Sequence, residues 1–251
     1  MTTPQRRRLD VLLVERGLAD TRERGQALVA AGLVEVDGVR ARSGGLAVVG
    51  EAAVRLTDRR HPWAGRGGLK LDAALEHFAV DCTSRVCLDA GASTGGFTDV
   101  LLHRGAALVY AVDVGHNQLH SRLAADPRVR VMDRTNLRTL ERLDGPAPSL
   151  VTLDLSFISL RAVLPNLERL APGAEIVALF KPQFEVAREA VGRGGVVRNP
   201  ADTAASLTDF AAWAERTGVA TALGAPTPAD IRGAKGNQEW LLHLRLGEGP
   251  A

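Results

Sequence analysis

Lysine is scarce in this chain: 28 of the 31 basic residues are arginine, and Lys70, Lys181 and Lys235 are the only lysines. A guanidinium stays protonated at any relevant pH, whereas an ammonium can lose its proton when desolvated or set beside another cation. These three positions are therefore candidates for proton transfer; a genomic bias towards arginine codons explains the scarcity but not the places. Lys181 ends an apolar run in Phe180-Lys181-Pro182-Gln183-Phe184-Glu185, and Asp154 does the same in Asp154-Leu155-Ser156-Phe157-Ile158-Ser159. Charged groups so placed are costly to bury without partners. Lys70, in Arg66-Gly67-Gly68-Leu69-Lys70-Leu71, and Glu239, in Gly236-Asn237-Gln238-Glu239-Trp240, complete a set of two ammoniums and two carboxylates. A structural ion-pair network is the plainer reading, and it suits Asp154 and Glu239 better than Lys181. Lys235 either touches phosphate or is solvated.

A second chemical signal is Cys87-Leu88-Asp89-Ala90-Gly91-Ala92-Ser93-Thr94-Gly95-Gly96-Phe97, whose glycines let backbone approach a ligand closely. It does not match the dinucleotide fingerprint, because Ser93 and Thr94 occupy the middle, nor a P-loop, because no Gly-Lys-Ser/Thr follows. NAD and ATP both lose ground. Asp113 and Asp133 end the next two expected strands, where an acid can hydrogen-bond a ligand. Singly, a strand-end aspartate often caps the following helix. The order of Asp89, Asp113 and Asp133 along one carboxyl edge of a sheet is what carries weight.

Holding these residues together takes a sheet. From about Arg66 the pattern alternates: strand 86–89, helix 97–104, strand 107–113, helix near 118–125, strand 129–131. Further strands are expected at 150–154, 176–180, about 219–223 and 239–246. Such alternation predicts a parallel sheet with helices on both faces. The last strand is expected to be antiparallel, because the turn-rich stretch 231–238 replaces a crossover helix. Ahead of this lies a compact α+β module from Arg6 to Asp58. Leu9, Leu12, Leu13 and Leu18 keep helical spacing, and Thr21 can cap a second helix that Gly32 ends. Strand 33–36, the tight-turn pair Asp37-Gly38 and a later strand over 48–56 follow. A basic, glycine-containing stretch over 59–68 reads as a linker rather than a core element. The expected division is 1–59 for the first domain, 60–66 for the linker and 67–251 for the second domain. Trp63 in that bridge either stacks on a nucleobase or packs the domains together.

A chain of 251 residues, 45% of them hydrophobic, can build two cored domains. No run of 18 apolar residues and no cleavable leader is visible, so a cytoplasmic address is expected. Cys82 and Cys87 read as reduced thiols, and no ligand set for a metal is seen. Residues 1–60 hold 11 arginines against 8 acids, while the remainder holds 20 basic and 21 acidic residues. Arginines at 6, 7, 8, 22, 24, 40 and 42 mark the starts of elements, where a nucleic-acid backbone could be gripped through its phosphates. For any single arginine a solvated surface is the plainer reading.

The stretch RRRLDVLLVERGLADTRERGQALVAAGLVEVDG resembles the S-four RNA-binding domain over nearly the whole module. The resemblance implies that the two-helix face and the following turn bind structured RNA. Arg7, Arg8, Arg22 and Arg24 are then the preferred contacts, with Arg6 and Arg66 beside them. The module serves ribosomal proteins, pseudouridine synthases and some synthetases, so it names RNA without naming a reaction.

The D-x-G-x-x-x-G-G segment resembles motif I of S-adenosylmethionine-dependent methyltransferases. That resemblance implies a Rossmann-like class I α/β fold and S-adenosylmethionine as cofactor. Asp89, Gly91, Ser93, Thr94, Gly95, Gly96, Phe97 and Asp154 would lie at the cofactor, with Asp113 and Asp133 addressing its ribose and adenine. Lys70, Asp154, Lys181 and Glu239 resemble the catalytic tetrad of FtsJ-type ribose methyltransferases. The likeness to the TlyA family, whose members carry both hemolysin and ribosomal-RNA cytidine-2′-O-methyltransferase names, is closer still. It runs from about Arg6 to Arg245, and LDAGASTGGFTDVLL, DLSFISL, KPQFEV and GNQEWLL are its most specific stretches.

A ribose hydroxyl is a poor nucleophile at neutral pH, so positioning and deprotonation are the two tasks such a site must perform. The expected roles are Lys181 as base, its proton affinity lowered by Lys70, with Asp154 and Glu239 orienting the lysines and the hydroxyl. Ribosomal RNA and ribosomal subunits are the implied partners, without membrane or metal; oligomeric state is not legible. Family members with a further helical tail tend to act on both subunits, so the short stretch 247–251 tips the expectation to the large subunit, with the small one as an option. Against a membrane-lytic hemolysin stands the lack of an export signal, a membrane-length span or a strongly amphipathic basic helix. A non-catalytic RNA-binding factor would not need Lys70, Asp154, Lys181 and Glu239 intact, and a small-molecule O-methyltransferase would leave the RNA module idle.

Overall fold

A computed structural model describes residues 6–56 and 61–249. The expected domain boundary at 59–60 lies outside the described residues. The N-terminal elements are β1 (Arg6–Arg8), α1 (Leu9–Glu15), α2 (Arg22–Ala30), β2 (Val34–Val36), β3 (Val39–Arg40), β4 (Ala47–Val49) and β5 (Val54–Leu56). Thr21 caps α2 as expected, its side chain accepting from Arg24 N at 3.1 Å. Leu9, Leu12, Leu13, Leu28, Val34, Val48 and Val54 form the small core between the helices and the strands. The single strand expected over 48–56 is two strands in two sheets: β4 pairs with β1, whereas β5 pairs with β2. The turn between them makes the break, and Arg16 pins it by donating to the carbonyls of Gly50 (2.5 Å) and Ala52 (2.8 Å).

The second unit opens with α3 (Gly67–His77) and continues as β6 (Val86–Ala90), α4 (Gly96–His103), β7 (Leu108–Val112), α5 (Ser121–Ala124), β8 (Val129–Met132) and β9 (Leu150–Leu153). It ends with α6 (Leu164–Leu170), β10 (Glu175–Phe180), α7 (Pro182–Glu185), α8 (Pro200–Thr217), β11 (Ala220–Ala222), β12 (Thr227–Pro228) and β13 (Trp240–Leu246). The sheet order is β11-β13-β10-β9-β6-β7-β8, with β12 also on β13. Strands β6 to β10 pair in parallel, and β13 is antiparallel to both β10 and β11, as expected of the last strand.

Two apolar clusters fill the two faces of this sheet: Leu71, Leu75, Val100, Leu101 and Leu123 bring α3, α4 and α5 to one, and Leu164, Leu167, Phe210 and Ala214 bring α6 and α8 to the other. The helix expected over 118–125 is only one turn long. The chain before it is pinned in a loop, with Gly115 N held by Asp113, Asn117 N by Asp133 and His120 N by the Thr94 carbonyl. Part of the stretch read as a linker belongs to the core: Trp63 and Ala64 are buried, and Trp63 packs edge-on against His103 with centroids 5.2 Å apart, while Pro62 and Arg66 are exposed. Cys82 and Cys87 are free and buried. Among the described residues no helix is long and apolar enough to cross a membrane.

Candidate active site

Parallel strands deliver their carboxyl ends to one edge of the sheet, and the charged residues that end β9 and β10 meet there. Lys181 follows β10 and Asp154 follows β9; Lys181 Nζ lies 2.5 Å from Asp154 Oδ1 and donates to Ser156 Oγ at 3.3 Å. Lys70, one turn into α3, makes a second ion pair of 2.5 Å with Glu239, which stands just before β13. Lys181 and Glu239 are buried, so each pair answers a charge that would be costly alone. All four residues line one cleft of ≈ 450 Å³. The sequence reading set Lys70 beside Lys181; in the structure the charge of Lys70 is met by Glu239 instead.

The floor of the cleft is the turn between β6 and α4. Gly91, Ala92, Ser93, Thr94, Gly96 and Phe97 line it together with Asp154. Gly91 is held at φ +88°, and a Cβ there would stand 2.6 Å from the Asp154 carbonyl, so only glycine lets the turn pass under β9. Gly96 answers to a different neighbour: a Cβ on it would meet Gly68 N at 2.9 Å and the Gly65 carbonyl at 3.0 Å. Its missing side chain thus serves packing of the glycine loop against the start of α3, not only approach to a ligand.

Gly95, Asp89, Asp113 and Asp133 do not line this cleft. Asp89 is fully buried beneath the loop, accepting from Thr98 Oγ1 at 2.6 Å, and its Oδ1 finds no partner. Burial pushes its carboxyl up to about 7, with the Thr98 hydrogen bond opposing and the charges of Asp154 and Asp113 adding. Asp113 accepts from Ser93 N (2.8 Å) and Gly115 N (2.7 Å), and Asp133 accepts from Asn117 N (2.8 Å) and contacts His116 Nδ1 (3.1 Å). Both carboxylates therefore brace the loops beside the glycine turn, Asp113 through one bond on each oxygen and Asp133 through Oδ2 alone. A carboxylate oxygen keeps a second lone pair for a ligand hydroxyl or amine.

The N-terminal arginines are not one free cluster. Arg7 pairs with Glu15 at 2.6 Å; Arg8 donates twice to the buried Asp10, at 3.0 and 2.7 Å, and Arg22 reaches the same carboxylate at 3.6 Å. These contacts, led by the Arg8 hydrogen bonds, hold the Asp10 carboxyl well below the usual range. Arg6 lies exposed on β1. Arg24 crosses to the second unit and donates to the Gln118 carbonyl. Arg66 lines the cleft, as do Ala27, Ala30 and Ala31 from the end of α2. Lys235 lines it too, with Arg232 beside it.

The sequence reading assigned no role to Ser156, Phe157 or Glu185. Phe157 is 87% exposed at the cleft and tilts over Phe184 with centroids 5.4 Å apart. An aromatic residue three places beyond a strand-end charge was the available signal for it.

The family model for FtsJ-like methyltransferases matches residues 63–246, and that for the S4 domain (the S-four domain) matches residues 7–54. The chain is 47% identical over 245 residues to the 16S/23S rRNA (cytidine-2'-O)-methyltransferase TlyA of Mycobacterium tuberculosis, covering 96% of this chain and 90% of that protein. It is 44% identical over 253 residues to YqxC of Bacillus subtilis, which carries a provisional rRNA methyltransferase name, covering 98% of this chain and 89% of that one. A solved structure from Streptococcus thermophilus with a provisional hemolysin name superposes with a TM-score of 0.74 at 40% identity, over 99% of this chain and 91% of that one.

Proposed function

The chain belongs to the FtsJ-like methyltransferases and carries an S4 domain, and from that premise we propose that it transfers a methyl group from S-adenosylmethionine to the 2′-hydroxyl of a cytidine in ribosomal RNA. The observation that carries the reading is the pair of lysine–carboxylate contacts opening on a cleft whose floor is a side-chain-poor turn. The floor fits the proposed cofactor: Gly91 leaves room that a Cβ would fill against the Asp154 carbonyl, and the carboxylates of Asp113 and Asp133 stand in the loops beside it. Gly91, Ser93, Thr94, Gly96 and Phe97 would hold the cofactor, with Asp113 and Asp133 taking its ribose and adenine from the adjoining loops; Asp89 and Gly95 would shape the turn from below. When bound, S-adenosylmethionine supplies a methyl carbon made electrophilic by its sulfonium.

The chain's own task is then to aim a hydroxyl and take its proton. Lys181 is the proposed base. Its ammonium is held by the Asp154 carboxylate across 2.5 Å, and to act as base it first gives up one proton to solvent. The neutral amine so formed takes the hydroxyl proton as the oxygen attacks and returns to ammonium, while Asp154 keeps the Nζ in place by accepting a hydrogen bond from it. Ser156 holds the Nζ from the other side. Lys70, fixed by Glu239, lends a stationary positive charge to the oxygen as it becomes anionic. Phe157 offers an exposed face on which the acceptor base can stack, worth roughly 1–3 kcal/mol per base. Arg66, Arg232 and Lys235 at the cleft, and Arg6, Arg7, Arg8, Arg22 and Arg24 on the S4 domain, would contact phosphates. An enzyme acting on ribosomal RNA belongs in the cytoplasm, and the large subunit is its proposed substrate, with the small subunit as the second.

The test is transfer of labelled methyl from S-adenosylmethionine to separated, unmodified large and small ribosomal subunits. Label is expected in a cytidine ribose of the large subunit. Lys181→Arg, which keeps the charge but not the base, is expected to lower the rate by roughly 10²–10⁴-fold, the usual worth of positioned proton transfer. A rate near wild type with that variant would remove Lys181 as the base, and no label in either subunit would remove the reading.

A further inference from the structure

The segment that follows Asp154 holds a shape that it does not stabilise by itself. Phe157 sits at φ +66°, in the left-handed region that a bulky side chain rarely adopts, and its exposed ring buries little in return. Such a conformation is strained and persists only where its surroundings enforce it. Just beyond Phe157 the segment is held by Glu185, the last residue of α7. Its Oε2 accepts from Ser159 Oγ at 2.6 Å and its Oε1 from Leu160 N at 2.7 Å. Ser159 in turn accepts from Arg161 N at 3.1 Å and so caps the short 3₁₀ turn Leu160–Ala162.

Segments 154–160 and 181–185 are therefore joined at both ends. The inner joint is the ion pair of Asp154 with Lys181, and the outer joint is Glu185 with Ser159 and Leu160. Between them lie the Lys181–Ser156 hydrogen bond and the Phe157–Phe184 contact. Glu185 does not line the cleft, and both of its oxygens are engaged away from it. Burial pushes its carboxyl above the usual range, so the acid sits there at some cost.

We propose that Glu185 is a positioning residue for methyl transfer: it clamps the 154–160 segment to the Lys181 turn, so that Asp154, Ser156 and Phe157 keep their places around the acceptor nucleotide. The proposal rests on the methyl-transfer reading above. A reacting group displaced by about 1 Å can lose roughly 10²-fold in rate, which sets the size of the expected effect.

Glu185→Ala deletes both hydrogen bonds of the outer joint. Glu185→Gln retains both, since the amide oxygen can accept from Leu160 N and the amide nitrogen can donate to Ser159 Oγ. On the full-length protein, Glu185→Ala is expected to slow single-turnover methyl transfer by about 10²-fold. Affinity for S-adenosylhomocysteine should stay within about threefold, since Glu185 touches none of the cleft-lining glycine loop, while amide exchange quickens over 155–162. Glu185→Gln should match wild type in all three readouts. A wild-type rate in Glu185→Ala, unaltered exchange over 155–162, or a Glu185→Gln variant as slow as Glu185→Ala would each overturn the proposal. If Glu185→Ala does not fold, Ser159→Ala severs one of the two hydrogen bonds of the outer joint, and a wild-type rate and exchange pattern there would likewise overturn the proposal. If the wild-type protein labels no RNA, the functional reading falls, while the exchange comparison still decides whether Glu185 holds the segment.

Discussion

Glu239 and Lys70 illustrate why a buried ion pair is known best by breaking it. Each is shielded from water, and their 2.5 Å contact is the compensation each finds for lost hydration. Glu239→Ala leaves the Lys70 ammonium without its carboxylate, and urea unfolding should register a loss of about 3–5 kcal/mol. The double variant Lys70→Ala/Glu239→Ala should recover part of that loss; a double variant less stable than either single one would contradict this account. Asp89 offers a pH-dependent counterpart. Its carboxyl is raised to about 7 in the folded protein, against about 4 in the unfolded chain. Between those values the folded state keeps a proton that the unfolded state releases, so stability falls as pH rises from about 4 to 7 and then levels off. Asp89→Asn has no such proton and can still accept from Thr98. Its unfolding free energy, relative to wild type, should therefore be higher at pH 8 than at pH 4, and an equal difference at both would refute the assignment. The four charges of the tetrad were legible because each interrupts or borders an apolar run. Their pairing was not, since which lysine meets which carboxylate depends on how α3 crosses the sheet. Glu185 was illegible for the same reason: its partners are 25 and 26 residues away.

The helix α8 shows what local signals do and do not reveal. No helix was read between 200 and 217, although Asn199 caps it by accepting from Ala201 N at 3.1 Å, Pro200 opens it and Gly218 closes it at φ +69°. Those three residues are the standard punctuation of a helix, and Phe210 and Ala214 supply its buried face. Asn199→Ala should lower stability by about 1 kcal/mol in urea unfolding, and no change would show that the cap is idle. Strands were easier to read than helices here because β6, β7, β9 and β10 are buried on both faces and appear as nearly continuous apolar runs. The split of 48–56 into β4 and β5 has one local signal, Gly50-Glu51, but apolar residues resume at once with Ala52-Ala53-Val54, and the group that pins the turn is Arg16, distant in sequence. The shortened α5 has a similar origin, in loop contacts to Asp113 and Asp133 that no window of sequence contains.

Across the whole molecule the two units share one wall. Ala27, Ala30 and Ala31 of the first unit face the same cleft as Lys70, Asp154 and Lys181 of the second, and Arg24 reaches across to the Gln118 carbonyl. His120, two residues on, donates its backbone N–H to the Thr94 carbonyl in the glycine loop. An RNA held by the first unit would thus lie beside the cleft that Lys70 and Lys181 line. Ala30 is exposed there, and Ala30→Trp should raise the KM for ribosomal subunits several-fold while leaving S-adenosylhomocysteine affinity unchanged. An unchanged KM would place the RNA path elsewhere. The sequence announced two units and a basic first one; that they would close on a common site could not be read, because the contact joins residues about 40 to 200 positions apart.

That shared wall limits how the protein could be re-engineered. An RNA module joined to its partner by a tether alone can be exchanged for another, and the catalytic half simply follows its new guide. Here an exchanged module would also remove three alanines from the rim of the reaction chamber and the arginine bridge behind the glycine loop. Retargeting this enzyme to another RNA would therefore mean regrafting recognition residues onto the existing α1 and α2 scaffold, not replacing the scaffold.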